Sequence, residues 1–289
     1  MELPTYTKQW HNDVYPDIDA YRPELSVNGK RVVVTGGGGG IGSATVEAFV
    51  VAGAMEVVIL GRTKQTLEAT KSVISSKHPN ANIVPLVTDI ARPESVTEAF
   101  ASIAGRGLID VFVNNAAYLS IGTVGNSDPI EWFKVYETNI KGSLLVVQAV
   151  LKNINTQGGT IINVSSAAGH LQYVPGYSAY ATSKIASAKA FEYLQHENPD
   201  LKVFNLQPGI IESTSIATKA TLHSGLSFPQ QDTVELPANF MVWLCSPEAA
   251  FLKGRFVWAN WDVKELLQKK QLLENDPTLL TVGLLGWPQ

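Results

Sequence analysis

Tyr180 and Lys184 bound the pentad Tyr180-Ala181-Thr182-Ser183-Lys184, and of the nine tyrosines in this 289-residue chain only Tyr180 has a lysine four positions on. Residues four apart on a helix share a face one turn away, so the ammonium can favour the phenolate and draw the phenol pKa from about 10 toward working pH. A tyrosine tuned in this way can serve as a general acid and base. With sixteen lysines in the chain such a pair also arises by chance, so it carries weight only together with other features. One of these is Ser166, fourteen residues before Tyr180.

A second feature is the run Thr35-Gly36-Gly37-Gly38-Gly39-Gly40-Ile41-Gly42, which follows Val32-Val33-Val34. A glycine-rich turn between a strand and a helix lets backbone N–H groups and the helix dipole meet a pyrophosphate. The spacing Gly36-x-x-x-Gly40-x-Gly42 departs from the common G-x-G-x-x-G pattern, although Gly37 to Gly39 allow other registers. A flexible turn is the competing reading. About 20 residues further on, where a carboxylate would hold the ribose hydroxyls of NAD, stand Gly61 and Arg62. An arginine there can pair bidentately with a 2′-phosphate, which favours NADP over NAD, whereas a solvated surface charge is the plain alternative. Asp89 could accept from an adenine amine or simply cap the helix that follows. Asn114-Asn115-Ala116 ends a strand with small and amide residues suited to close approach by a ribose, or forms an ordinary turn.

Short β-branched runs alternating with helical patterns must position these groups, which predicts an α/β fold: a doubly wound parallel sheet of about seven strands with helices on both faces. The strands are expected at Arg31–Thr35, Glu56–Leu60, Ile83–Thr88, Asp110–Asn114, Thr160–Val164, Lys202–Leu206 and Arg255–Val257. Helices are expected to start near Ile41, Lys64, Pro93, Pro129, Ser178, Thr214 and Leu236. With no break in composition, residues 30–260 read as one catalytic domain. An N-terminal arm, 1–29, carries Trp10, Tyr15 and Tyr21 and is expected to pack on the domain or a neighbouring subunit. Residues 261–289 read as a C-terminal helix and a leucine-rich tail suited to covering a pocket or an interface.

Composition excludes several classes of function. With 22 basic and 26 acidic residues and no long like-charge run, neither a nucleic-acid surface nor a membrane patch is indicated. The longest apolar stretch, Leu144 to Leu151, is too short to span a bilayer, and the start lacks a signal-peptide pattern, so a soluble, cytoplasmic protein is expected. His11, His78, His170, His196 and His223 show no ligand spacing, which argues against a metal. The single cysteine, Cys245, sits in an apolar helical stretch and reads as a packed residue.

Taken together, the glycine turn ending Gly40-Ile41-Gly42, Asn114-Asn115-Ala116, Asn139, Ser165-Ser166, Tyr180-x-x-x-Lys184 and Pro208-Gly209 resemble the short-chain dehydrogenase/reductase family from about Lys30 to Trp258. The arm and the ending Phe256 to Asp262 look like a fungal branch of it, often seen beside secondary-metabolite genes. The resemblance implies hydride transfer between a nicotinamide nucleotide and a carbonyl or secondary alcohol. It implies Tyr180 as acid or base, Lys184 lowering its pKa and holding the nicotinamide ribose, Ser166 on the substrate oxygen, and Asn139 holding a water in line with Lys184. It further implies Pro208 and Gly209 beside the nicotinamide, Ser213 or Thr214 near its phosphates or amide, and a homodimer or homotetramer formed through the helices after Pro129 and Ser178.

Two departures from the family pattern stand out. Ala117 replaces the glycine that usually follows Asn-Asn-Ala, and the serine-to-tyrosine spacing is one longer than the commoner thirteen, which leaves Ser165 as a rival to Ser166. Tyr173 and Tyr177 either line the substrate pocket or pack. The segment from Ser215 to Pro237, with Leu222, Leu226 and Phe228, reads as a lid with an apolar inner face, which suits an apolar small-molecule substrate. A non-redox isomerase, cyclase or dehydratase on the same scaffold and an NADPH-binding regulatory protein are the alternatives, and the complete set Asn139, Ser166, Tyr180 and Lys184 weighs against both.

Overall fold

Seven runs rich in Val, Ile, Leu and Phe become strands because both of their faces are covered. The computed structural model describes residues 5–171, 173–211, 214 and 231–284. Its strands are β1 (Arg31–Thr35), β2 (Glu56–Gly61), β3 (Ile83–Val87), β4 (Val111–Asn114), β5 (Thr160–Val164), β6 (Lys202–Gln207) and β7 (Phe256–Trp258). They form one sheet in the order β3-β2-β1-β4-β5-β6-β7, and every pairing is parallel. The helices are α1 (Gly40–Val51), α2 (Lys64–Lys77), α3 (Pro93–Ala104), α4 (Pro129–Tyr136), α5 (Ser143–Leu151), α6 (Ser178–Glu197), α7 (Glu235–Cys245), α8 (Val263–Gln268) and α9 (Lys270–Asn275). Alternate residues along each strand feed two cores. Val32, Val34 and Ile59 pack with Phe49, Leu67 and Trp243 of α1, α2 and α7, whereas Val33, Val58 and Phe112 pack with Phe100, Val146 and Phe191 of α3, α5 and α6. This is the doubly wound arrangement expected from the alternating runs.

The strand order reverses between β1 and β4, and in such sheets the crevice outside the carboxyl ends at that point is where ligands bind. Here Thr35 ties the two ends together, its Oγ1 accepting from the N–H of Asn115 at 2.9 Å and of Ala116 at 3.0 Å. A row of buried amides crosses the next three strands. Asn114 Nδ2 donates to Asn163 Oδ1 at 2.9 Å, Asn163 Nδ2 to Asn205 Oδ1 at 2.8 Å, and Asn205 Nδ2 to the Ala188 carbonyl at 3.0 Å. Asn114 also reaches Ser143 Oγ at 3.0 Å. The row therefore fixes both the register of β4, β5 and β6 and the seating of α5 and α6 against them.

Strand and helix boundaries differ from the sequence expectation by a residue or two; β7, for example, begins at Phe256. The helix expected near Thr214 and most of the segment from 215 to 237 lie outside the described residues, as do Ser213, Leu222, Leu226, Phe228 and Trp287. One difference is physical. The long helix expected after Pro129 is broken by a π turn over Glu137–Gly142, where Asn139 reaches out of the helix to the backbone of Tyr118. Such turns are frequent at functional sites.

The arm packs on the last strand and the helix after it. Trp10 forms an antiparallel bridge with Trp261 and lies edge-on to Trp258, ring centroids 5.8 Å apart. Glu265 of α8 accepts from the N–H groups of Lys8 and Gln9, each at 2.8 Å. Tyr15 is buried, its hydroxyl donating to the Trp261 carbonyl at 2.9 Å.

Candidate active site

The glycine turn bends sharply because Gly36 and Gly40 have φ of 70° and 53°, the left-handed region that favours glycine. Helix α1 then packs so close to its own approach that a Cβ on Gly42 would lie 2.1 Å from the Gly36 carbonyl oxygen. No side chain caps α1, and the N–H groups of Gly39, Gly40 and Ile41 donate to nothing among the described residues. A Cβ on Gly39 would meet open space. Uncapped amides at a helix N-terminus facing open space are a donor set that fits a pyrophosphate.

Arg62 follows the last residue of β2, exposed and outside every ion pair among the described residues. Asp89 has a local engagement: its Oδ1 accepts from Ala91 N–H at 3.1 Å and its Oδ2 lies 3.8 Å from Arg92 Nε. It does not cap the helix that follows, whose N-cap is Arg92 with no side-chain cap; it closes the turn before that helix. Asn115, expected to approach a ribose, turns its side chain back, Nδ2 donating to the Thr35 carbonyl at 2.9 Å. It shapes the glycine turn. Thr214 lies across from that turn, its methyl 3.3 Å from where a Cβ on Gly40 would stand, so the chain leaving β6 meets the start of α1. Pro208 and Gly209 occupy the β6 exit, and Gly209 takes a φ of 102°.

Tyr180 and Lys184 lie on one face of α6, both buried, with Lys184 Nζ 5.6 Å from the tyrosine ring centre. The Ser166 hydroxyl faces the Tyr180 phenol and pulls its pKa down. Ser165 is turned away and donates to the Lys184 carbonyl at 3.3 Å. Of the two serines, Ser166 is therefore the one brought to the phenol. The surrounding wall is apolar: Leu119 packs with Tyr180, and Ile121, Ala168 and Tyr177 pack against the pair. Tyr177 stands edge-on to Tyr180 at 6.0 Å, whereas Tyr173 is 78% exposed and takes no part.

Asn139 uses both amide N–H groups, donating to Ser183 Oγ at 2.9 Å and the Tyr118 carbonyl at 3.0 Å, while its Oδ1 accepts from Tyr118 N–H at 2.8 Å. A water held by this residue would meet its main-chain carbonyl or the remaining lone pair of Oδ1.

The electrostatics differ from the simple expectation. Burial pushes the Tyr180 phenol well above its ordinary range, with the Ser166 hydrogen bond pulling it partly back, and the same burial lowers the Lys184 ammonium to about 8. Spacing shows that two groups share a helix face but not how dry the face is, and here desolvation is the largest cause of both shifts. Lys184 instead donates to the Val164 carbonyl at 2.7 Å.

A pH dependence follows. As pH rises through about 8 Lys184 loses its proton, and folding should respond. The unfolded lysine holds its proton up to about 10.4 while the folded one does not, so this group makes stability rise from about pH 8 to that point. Lys184→Met should abolish the stability rise, as denaturant titrations at pH 7 and pH 10 would read out. An unchanged rise would contradict the assignment.

Among the described residues no cluster of three or more His, Cys, Asp or Glu could hold a metal, and no helix is long and apolar enough to cross a membrane. The family model described as short chain dehydrogenase matches residues 30–224. Short chain dehydrogenase citE of Monascus ruber is 33% identical over 284 residues, covering 94% of each chain. A short chain dehydrogenase/reductase of Claviceps purpurea is 35% identical over 292 residues, covering 98% of this chain and 95% of the other. Among solved structures, a short chain dehydrogenase from Salmonella enterica superposes with a TM-score of 0.73 at 25% identity, covering 82% of this chain and 98% of that one. One from Burkholderia cenocepacia, in complex with NADP, shares the fold at a TM-score of 0.71 and 22% identity, over 82% of this chain and 99% of that one.

Proposed function

The chain belongs to the short-chain dehydrogenase/reductase family of oxidoreductases, and from that premise we propose that it moves a hydride between NADP(H) and a carbonyl or secondary alcohol of a small, apolar metabolite. The observation that carries this reading is the placement of Ser166 and Lys184 beside the buried Tyr180 phenol, set in an apolar wall in a fold that also presents the uncapped amides of α1. The nucleotide, when bound, would supply or accept the hydride. Gly39, Gly40 and Ile41 would hold its pyrophosphate through main-chain N–H groups. Arg62 would pair with a 2′-phosphate, and Pro208, Gly209 and Thr214 would border the nicotinamide end.

In reduction Tyr180 gives its proton to the substrate oxygen, and in oxidation it takes one back. Ser166 donates to the same oxygen and steadies the charge that builds there. Lys184, as an ammonium, favours the phenolate left on Tyr180. Leu119, Ile121 and Tyr177 favour an apolar substrate body.

A cytoplasmic role in secondary metabolism, implied by the resemblance to a fungal branch of the family, is part of the same proposal. A homodimer or homotetramer would bury Ile130, Phe133, Leu144 and Tyr193, which α4, α5 and α6 leave exposed.

Arg62→Ser tests the choice of nucleotide. Loss of a charge-assisted pair should weaken NADPH binding about tenfold or more while leaving NADH binding alone, as titration calorimetry would show. Equal loss for both nucleotides would remove the 2′-phosphate role.

A further inference from the structure

The exit of β6 is held from outside by a carboxylate that the reaction scheme does not use. Asp232 is buried, and its Oδ2 accepts from Ile210 N–H at 2.6 Å while its own N–H donates to the Ile210 carbonyl at 2.9 Å. A Cβ on Gly209 would lie 2.6 Å from that same Oδ2, so the carboxylate sits directly against the Pro208–Gly209 turn. Its other oxygen, Oδ1, accepts from Asn12 Nδ2 at 2.6 Å and Asn260 Nδ2 at 2.9 Å. All three partners of the carboxylate, one main-chain and two side-chain, are N–H donors, which suits an ionised carboxylate.

Asn12 belongs to the N-terminal arm, which is wedged on both sides. Its carbonyl accepts from Thr233 N–H at 2.9 Å, and the preceding His11 exchanges two bonds with Asn260, His11 N–H to the Asn260 carbonyl and Asn260 Nδ2 to the His11 carbonyl, each at 2.9 Å. His11 Nε2 meets Asp262 Oδ2 at 2.9 Å, and Asp13 Oδ1 accepts from Thr233 Oγ1 at 2.7 Å. The arm therefore bridges the chain just before α7 to the chain just after β7, and Asp232 carries that bridge to the β6 exit.

We propose that Asp232 is a positioning residue for the hydride-transfer site and that Asn12 is its buttress, so that the N-terminal arm sets the Pro208–Gly209–Ile210 turn. The inference rests on the reading of that turn as the border of the nicotinamide. The turn has a glycine in a left-handed conformation, and among the described residues the Asp232 carboxylate is what holds the Ile210 amide in place. Misplacing a cofactor by a fraction of an ångström is enough to cost binding and rate.

The experiment compares wild type with Asn12→Asp, Asp232→Ala and the double exchange Asn12→Asp/Asp232→Asn, all as full-length protein. Three quantities are read: NADPH affinity by fluorescence titration, the split of kcat against KM for NADPH, and hydrogen exchange at the Ile210 amide, with melting temperature followed in parallel. Asn12→Asp sets two carboxylates against each other and should weaken NADPH affinity and raise KM about tenfold, with kcat changing less. Exchange at Ile210 should quicken by a similar factor. The double exchange restores a donor facing an acceptor between positions 12 and 232, while its new amide N–H meets Asn260 Nδ2, so it should recover part of the loss.

Should Asp232→Ala fail to fold, Asn12→Asp alone decides the matter. Wild-type affinity together with unchanged Ile210 exchange in Asn12→Asp would overturn the proposal. So would a loss that tracks only the melting temperature and is not recovered by the double exchange. If wild-type protein binds no nicotinamide nucleotide at all, the proposed function fails, while exchange at Ile210 still decides whether the arm holds the turn.

Discussion

Replacing Tyr180 by Phe is expected to lower turnover by about 10²- to 10⁴-fold, the range typical of a positioned acid or base, while NADPH affinity stays close to that of wild type. The substitution deletes one oxygen. The ring and its packing against Leu119 and Tyr177 remain, so a folding defect cannot mimic the effect. The deleted oxygen is also the one that Ser166 faces. Ser166→Ala should cost less, because it removes only one hydrogen bond to the developing charge. Steady-state rates at saturating NADPH, with affinity measured separately, distinguish the two. A Phe variant that keeps more than about a tenth of wild-type turnover would show that the proton comes from elsewhere.

Gly42→Ala should damage both stability and cofactor binding. The added methyl would lie 2.1 Å from the Gly36 carbonyl oxygen and 2.8 Å from Asn115 Nδ2, and a backbone oxygen held in a turn cannot move aside cheaply. Overpacking of this kind costs roughly 1–3 kcal/mol, and here the strain falls on the amides proposed to hold the pyrophosphate. NADPH affinity should drop by about a hundredfold, in line with other misplaced sites. Gly39→Ala is the matched control. Its methyl would enter open space and its φ of 169° is ordinary extended backbone, so stability should change by less than about 0.5 kcal/mol. Binding should still weaken, because the open space is where the phosphates are expected. Chemical denaturation and nucleotide titration on both variants separate folding from binding. If Gly39→Ala binds NADPH as wild type does, the pyrophosphate lies elsewhere.

The sheet was readable from the sequence because burial on both faces demands near-continuous Val, Ile and Leu, a pattern that few other elements share. Val32-Val33-Val34 is such a run, and it sends Val32 and Val34 to one core and Val33 to the other. Pro93 and Pro129 marked helix starts, since a first-turn position tolerates a missing N–H. The pairing of Ser166 with Tyr180 was approached but not decided by spacing alone. Whether Ser165 or Ser166 faces the phenol depends on how the chain turns after β5, and the structure settles it by bonding Ser165 to the Lys184 carbonyl.

Other features depend on contacts between residues far apart in the chain, which no local pattern records. The π turn at Asn139 comes from an attachment to Tyr118, twenty-one residues away. The inward turn of Asn115 depends on Thr35, eighty residues away. The Asn12–Asp232–Asn260 junction joins three segments that share no sequence signal, although an N-terminal run with Trp10 and Tyr15 already suggested an ordered arm. The direction of the Tyr180 shift was also out of reach, since the depth of burial around α6 is a property of the packed chain.

The most direct test is to follow nicotinamide absorbance at 340 nm while the purified protein consumes a carbonyl from a panel of apolar ketones and aldehydes or a fungal metabolite extract, with product identified by mass spectrometry. One NADPH oxidised for each alcohol formed, and none in Tyr180→Phe, is the predicted result. Substrate converted with no change in the nicotinamide signal would contradict hydride transfer.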